Sequence, residues 1–222
     1  MRFFEPILAG ATLWHRLIAC LCAVVAIALT LIVCRALALE ATDVPIIVAP
    51  LGASAVLVFA VPASPLAQPW PVIGGNIVST LVGVAAYQAV PDLTLAAGLA
   101  VGGAILVMSL LRCLHPPGGA AALMAVIGGH GISAAGYAFA FAPVGVNSIA
   151  LVAIALLLHR LTGHRYPHRG VPGAALPASA RFDEADIDAA LAEMDDSFDI
   201  SRDDLNALLA HAERAAAKRS GG

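Results

Sequence analysis

The sequence predicts an all-α fold: a polytopic membrane helix bundle with two half-helices in a repeated span, half-helix, span arrangement, plus a C-terminal soluble helical hairpin. Three observations predict it. Apolar residues make up 60% of the chain and charged residues 12%, against roughly half and a quarter in a soluble domain. Several apolar runs reach the ~20 residues needed to cross a bilayer as helix. Two more, 51–61 and 117–127, are only about half that long, and each is entered through proline.

The first residues carry Arg2, His15 and Arg16 ahead of the apolar run 17–39. Basic flanks mark the cytoplasmic side. Ala36-Leu37-Ala38 imitates a signal-peptide cleavage site, but the run before it exceeds the roughly 7–15 residues of an h-region, so an uncleaved first helix is expected. Arg35, about one turn from the end of the run, is expected to snorkel to the interface beside Glu40 and Asp43. Residues 45–50 read as an extended entry to the half-helix 51–61, which Pro62 and Pro65 stop. Pro65, Pro69 and Pro71, with Gln68 and Trp70 among them, then predict a rigid interfacial loop.

Residues 72–90 form a span whose Gly74, Gly75, Asn76, Ser79 and Gly83 suit close helix packing. After the Pro91-Asp92 turn, 93–111 is another span, with Gly98, Gly102 and Gly103 along it and Arg112 closing it. The half-helix 117–127 ends in Gly128-Gly129 and a turn containing Gly131, and 137–158 is the last span. His159, Arg160, His164, Arg165, His168 and Arg169 place the following side in the cytoplasm as well. The expected location is the plasma (inner) membrane, with both termini cytoplasmic and an even number of crossings. Six crossings are expected rather than four, because residues 42–70 supply enough chain to cross as extended segment plus helix.

The charge pattern excludes several function classes. Before His159 the formal charges are Arg2, Glu5, Arg16, Arg35, Glu40, Asp43, Asp92 and Arg112. The net charge of −3 therefore belongs to an acidic tail, and without a basic stripe no nucleic-acid partner is expected. Cys20, Cys22, Cys34 and Cys113 lack the spacing of a zinc site or redox pair and read as small buried side chains. In the His159, His164 and His168 cluster arginines alternate with imidazoles, which suits lipid headgroups better than a metal. No Ser-His-Asp order, HExxH, phosphate loop or paired intramembrane carboxylate is present. The chain is expected to be no enzyme and to carry no cofactor.

The two half-helices share a pattern. Pro50-Leu51-Gly52-Ala53-Ser54-Ala55 and Pro117-Gly118-Gly119-Ala120-Ala121-Ala122 match at proline, glycine and two alanines, and each lies between spans. An internal repeat with discontinuous helices is a transporter architecture. His115-Pro116-Pro117-Gly118-Gly119-Ala120 resembles the signature of the HPP family of integral membrane proteins. The block at 49–56, Ser64-Pro65-Leu66-Ala67-Gln68-Pro69 and Val72-Ile73-Gly74-Gly75 resemble its other landmarks, in order, so that the resemblance covers approximately residues 40–160. It implies a compact bundle of membrane helices. For some plastid and cyanobacterial members nitrite transport has been proposed.

Helix N-termini at membrane depth carry unpaired N–H groups and about half a positive charge, which suits an anion. The candidate substrate-binding residues are accordingly Gly52 and Ser54 at one half-helix and Gly118 and Gly119 at the other, with His115 and Arg112 as nearby sources of positive charge or proton exchange. The domains expected are 1–160, transmembrane; 161–180, basic juxtamembrane segment and linker; and 181–222, a cytoplasmic helical tail. In that tail Ile187, Leu191, Met194 and Phe198 share one face, Ser201 and Asp204 make a capping box, and Leu205, Leu208 and Leu209 form a stripe. Two function classes follow. One is a transporter of a small anion such as nitrite; the other is a membrane scaffold or sensor whose tail recruits a partner or makes a homodimer.

Overall fold

The computed structural model of the chain describes residues 13–37, 44–168, 184–194 and 199–220. Arg2, Glu5, Glu40, Asp43, Arg169, the linker 171–179 and Phe198 lie outside the described residues. The helices in chain order are α1 (Leu13–Ala36), α2 (Pro50–Ala60), α3 (Pro71–Ala89), α4 (Leu93–Leu110), α5 (Pro116–Ile127), α6 (His130–Ala135), α7 (Ala140–Leu161), α8 (Glu184–Met194) and α9 (Arg202–Ser220). Among the described residues, α1, α3, α4 and α7 are long and apolar enough to cross a membrane, and α2 and α5 are the shorter apolar helices.

Local chemistry sets the ends. Proline opens α2, α3 and α5, where its missing N–H is one of the groups a helix start leaves unpaired anyway. Asp92 caps α4 by accepting from Leu95 N at 2.8 Å. The helix α3 begins with a π-helical turn, Pro71–Gly75, whereas α7 is kinked within Ala140–Gly145. In α7 the backbone is extended at Ala142, the residue before Pro143, because the proline ring disfavours helical geometry in its predecessor. The last span, Ala140–Leu161, runs about a turn later than the apolar run suggests. The expected turn at Gly131 is instead the short helix α6, bounded by Gly129 at φ 89° and Gly136 at φ 53°. Six residues are too few to show a helical period in the sequence.

The chain divides into two compact units, residues 1–62 with 66–167 and residues 63–65 with 168–222. The first unit has two apolar clusters. In one, Ala26 of α1, Leu51, Ala55 and Val58 of α2, and Leu151 and Ala155 of α7 pack together. In the other, Ala96, Ala100, Ala104 and Met108 make a stripe on α4 against Ala122 and Val126 of α5, with Val82 and Ala86 of α3 beside them. Each half-helix therefore packs on the span before it and on a span from the other half of the sequence. Small residues set the spacing. A Cβ on Gly83 of α3 would stand 2.3 Å from Ala122 O of α5, so only hydrogen fits between those backbones.

In the second unit Asp204 N donates to Ser201 Oγ at 3.2 Å and Ser201 Oγ donates back to the Asp204 carboxylate, the capping exchange expected at the start of α9. His168 Nε2 lies 2.9 Å from Asp204 Oδ2, and Arg202 pairs with Asp188 of α8 at 2.6 Å. The expected leucine stripe is corrected in one position: Leu208 is 60% exposed, while Ala207 and Ala210 are buried. Leu205 and Leu209, four residues apart, share a face from which Leu208 is rotated by about a quarter turn.

Candidate functional site

One buried polar cluster of the first unit is built from four elements. Ser54 comes from α2, Asn76 from α3, His115 from the residue that caps α5, and Ser148 from α7; all are buried. His115 Nε2 lies 2.8 Å from Ser54 Oγ, and His115 Nδ1 lies 2.9 Å from Leu66 O. A carbonyl only accepts, so Nδ1 carries a proton, and in the neutral ring Nε2, at 2.8 Å, takes the Ser54 hydroxyl proton in preference to the alternative acceptor Pro50 O at 3.2 Å. Asn76 Nδ2 donates to Ser54 Oγ at 3.3 Å and to Ser148 Oγ at 3.1 Å. Ser148 passes its own proton to Val144 O at 2.9 Å. Both serine hydroxyls therefore turn lone pairs toward Asn76, which fixes its amide nitrogen on that side.

Two oxygens here are buried and have no hydrogen-bond partner among the described residues, Asn76 Oδ1 and Ser79 Oγ. They sit on α3, one turn apart. Ser79 Oγ faces the start of α5, since a Cβ built on Gly118 would stand 2.6 Å from it. A buried oxygen left unpaired costs about 1–3 kcal/mol, so two together mark a place where a hydrogen-bonding group would be welcome.

The candidate residues separate on this geometry. Ser54 and His115 meet directly. Gly118 is a packing position, its missing side chain making room for Ser79 Oγ, Met108 Sδ and Gly75 O. Gly119 is half-buried, and a Cβ there would meet only Val101 of α4, at 3.9 Å. Gly52 is exposed with nothing within 4 Å of a built Cβ. Arg112 is exposed and closes α4: with φ 53° it lets Arg112 N bond Ser109 O and Cys113 N bond Met108 O.

The amides at the half-helix starts are also mostly spent. Pro50, Pro116 and Pro117 carry no N–H, Leu51 N bonds Val48 O at 3.0 Å, Gly52 N bonds Ala49 O at 3.1 Å, and Gly118 N bonds His115 O at 2.8 Å. Tight local turns absorb the donors that a sequence argument leaves open. At the half-helix starts those amides are taken up by local turns, whereas the oxygens of Asn76 and Ser79 have no partner among the described residues.

Sequence reasoning missed Asn147 and Ser148, and took Asn76 and Ser79 for packing residues. Asn147 Oδ1 accepts from Val48 N at 2.9 Å while its Nδ2 donates to Ile46 O at 3.0 Å. The amide thus holds the extended segment before α2 as a neighbouring strand would. The available signal was a repeated Pro, Gly, Asn order at the start of α3 (Pro71, Gly75, Asn76) and of α7 (Pro143, Gly145, Asn147).

The histidines at the far end of α7 are engaged otherwise. His159 Nε2 donates to Val58 O at 3.0 Å and its ring stacks on Phe59 at 5.3 Å. Tyr166, just past the span, donates to Ala67 O at 3.0 Å, and burial pushes its hydroxyl pKa upward. Among the described residues no three His, Cys, Asp or Glu side chains converge as metal ligands would.

Comparison with known proteins adds three findings. Residues 9–167 match the family model described as HPP, transmembrane region. Two curated transmembrane proteins of Dictyostelium discoideum are similar: one is 36% identical over 135 residues, 58% of this chain and 47% of the relative, and the other 39% identical over 121 residues, 52% and 39% respectively. The chain thus spans less than half the length of either relative. No solved structure matches.

Proposed function

Because the chain belongs to the HPP transmembrane region family, we propose that it is a transporter, moving a small anion such as nitrite across the plasma (inner) membrane. One observation carries the reading: the Ser54, Asn76, His115 and Ser148 cluster, buried where α2, α3, α5 and α7 come together, with unpaired oxygens on Asn76 and Ser79. Polar groups inside a membrane bundle are costly, and one that served packing alone would be expected to satisfy every member. Discontinuous helices flanking a polar midpoint are the architecture in which transporters hold solutes. The solute-binding residues in this reading are Ser54, Asn76, Ser79, His115 and Ser148.

The test is uptake of labelled nitrite into proteoliposomes containing the full chain, against empty vesicles and a panel of other small anions. Ser54→Ala and Asn76→Leu should each lower uptake at least tenfold, about 1.4 kcal/mol, while Gly52→Ala, on an exposed face, should not. Uptake no faster than in empty vesicles for every anion would turn the assignment to the second reading. That reading, a scaffold whose tail recruits a partner or a second copy, is favoured by the exposed Leu208 of α9.

A further inference from the structure

The cluster carries no fixed charge. Among the described residues the buried polar side chains are serine, threonine, asparagine and histidine, with no Asp, Glu, Lys or Arg. Arg112, the cation nearest in sequence, is exposed. A bare anion placed beside Asn76 would have no counter-charge at membrane depth, where an isolated charge is expensive. It would also meet lone pairs. With Nδ1–H given to Leu66 O, the Ser54 proton to His115, both Asn76 amide protons to the serines, and the Ser148 proton to Val144 O, Asn76 Oδ1 is an acceptor with nothing to accept. Only the Ser79 hydroxyl remains to donate.

One added proton reverses this. Placed on His115 Nε2, it makes an imidazolium that donates to Ser54 Oγ and supplies the missing counter-charge, while the Ser54 hydroxyl turns its own proton to Pro50 O, 3.2 Å away, or to the solute. Placed on the solute, it donates to Asn76 Oδ1. In both arrangements the contents of the site sum to zero charge. We propose that a small monovalent anion occupies this site only together with one proton, so that the protein performs electroneutral proton–anion symport. The proposal rests on the transport reading above. The step needs no other reactant: an N–H or O–H bond forms with a proton taken from water on one side and breaks to release it on the other.

Other titratable groups on the surrounding elements are few. Cys113, two residues before His115, is buried; Tyr166 donates to Ala67 O beside Leu66; and His159 donates to Val58 O, one turn along α2 from Ser54. Tyr87 of α3 is exposed. His115 is the ionisable side chain within the cluster itself.

The experiment uses the full chain in proteoliposomes with nitrite as probe and a pH dye in the lumen, reading initial rates above those of empty vesicles. An inward proton gradient of one pH unit should raise the protein-dependent rate by up to about tenfold, the change in proton activity, with matching acidification of the lumen. A potassium diffusion potential of either sign should leave the rate unchanged. His115→Gln, which keeps polarity but holds no added proton, tells the two arrangements apart: loss of the proton-gradient effect assigns the proton to the ring and retention assigns it to the solute, both as symport. Protein-dependent uptake that an inside-positive potential accelerates, without lumen acidification, would overturn symport while leaving transport standing. No protein-dependent uptake at any pH would overturn the transport reading, and this proposal with it. The potential measurement is made on the wild type, so the outcome does not depend on whether the variant folds.

Discussion

Arg112 and Gly163 hold the same position in the same helix-closing turn. After α4, Cys113 N bonds Met108 O at 2.9 Å around Arg112; after α7, His164 N bonds His159 O at 2.9 Å around Gly163. Both central residues have positive φ, 53° and 75°, and only glycine adopts that region without steric cost. Arg112→Gly is therefore expected to raise the stability of the bundle by about 1 kcal/mol. The check is the thermal midpoint of the purified protein in detergent. A lower midpoint would show that the exposed guanidinium makes a contact worth more than the backbone strain.

Asn147→Leu should destabilise the first unit by about 2–4 kcal/mol, because it leaves both Val48 N and Ile46 O without the amide that joins them. Denaturant titration in detergent reads the loss. Asn76→Leu should cost less, since the hydroxyls it releases keep Val144 O and His115 as partners.

Gly83→Val should separate α3 from α5. Its Cβ would stand 2.3 Å from Ala122 O and 2.9 Å from Ala122 Cα, and backbone atoms cannot rotate away as a side chain can. A cost at or above about 3 kcal/mol, the upper end for overpacking, is expected. Gly98→Val on α4, where nothing lies within 4 Å of a built Cβ, is the control and should be nearly silent in the same unfolding assay.

Deleting residues 171–222 should leave a detergent-stable bundle of correct size, because the units divide near residue 168 and the first keeps its own apolar clusters. Size-exclusion chromatography checks this. A change confined to oligomer size would mark the tail as a dimerisation element, whereas loss of the folded bundle would show that the tail is needed to complete it.

The start of α9 should weaken in acid. Burial raises the Asp204 pKa, but hydrogen bonds from Ser201 and His168 and the nearby His168 charge outweigh it and leave the group below its usual value of 3.8. A depressed folded-state pKa gives stability that is present above the unfolded value and lost as pH falls through the folded one. Below about pH 4 the helical signal of the second unit should therefore decline, and Asp204→Asn should remove that dependence. Circular dichroism of the full chain against its 171–222 deletion isolates the signal.

Crossing number is checked by labelling single cysteines in a cysteine-free background, at Ala63 and at Pro91. Both positions are exposed, and using them spares the bonds made by Gln68 and Asp92. With cytoplasmic termini, six crossings put residue 63 inside and residue 91 outside. Four crossings reverse both.

The long spans were legible because a bilayer demands runs of apolar residues, and 72–90 and 93–111 overlap α3 and α4 almost to the residue. The half-helices were legible because proline announces a helix start and a run of eleven or twelve residues is too short to be a full span. At the site, Ser54 and His115 were found because each lies at the proline-marked start of a half-helix. Asn147 and Ser148 lie just as deep, but small polar residues are common in membrane helices, and nothing local tells a packing asparagine from one that grips another segment.

The sequence by itself determined the solvent of this protein, its helical class and the two breaks that interrupt its helices, because each follows from composition or from the missing N–H of proline. Tertiary structure decided which polar atoms meet. Ser54 and His115 are 61 residues apart, and the exchange of partners that puts α5 against α3 and α2 against α7 brings them within hydrogen-bond reach. It also decided which amides stay free. Whether a helix start offers its N–H groups depends on the turn geometry just before it, and at Val48 and His115 that geometry turns the carbonyls back to take them.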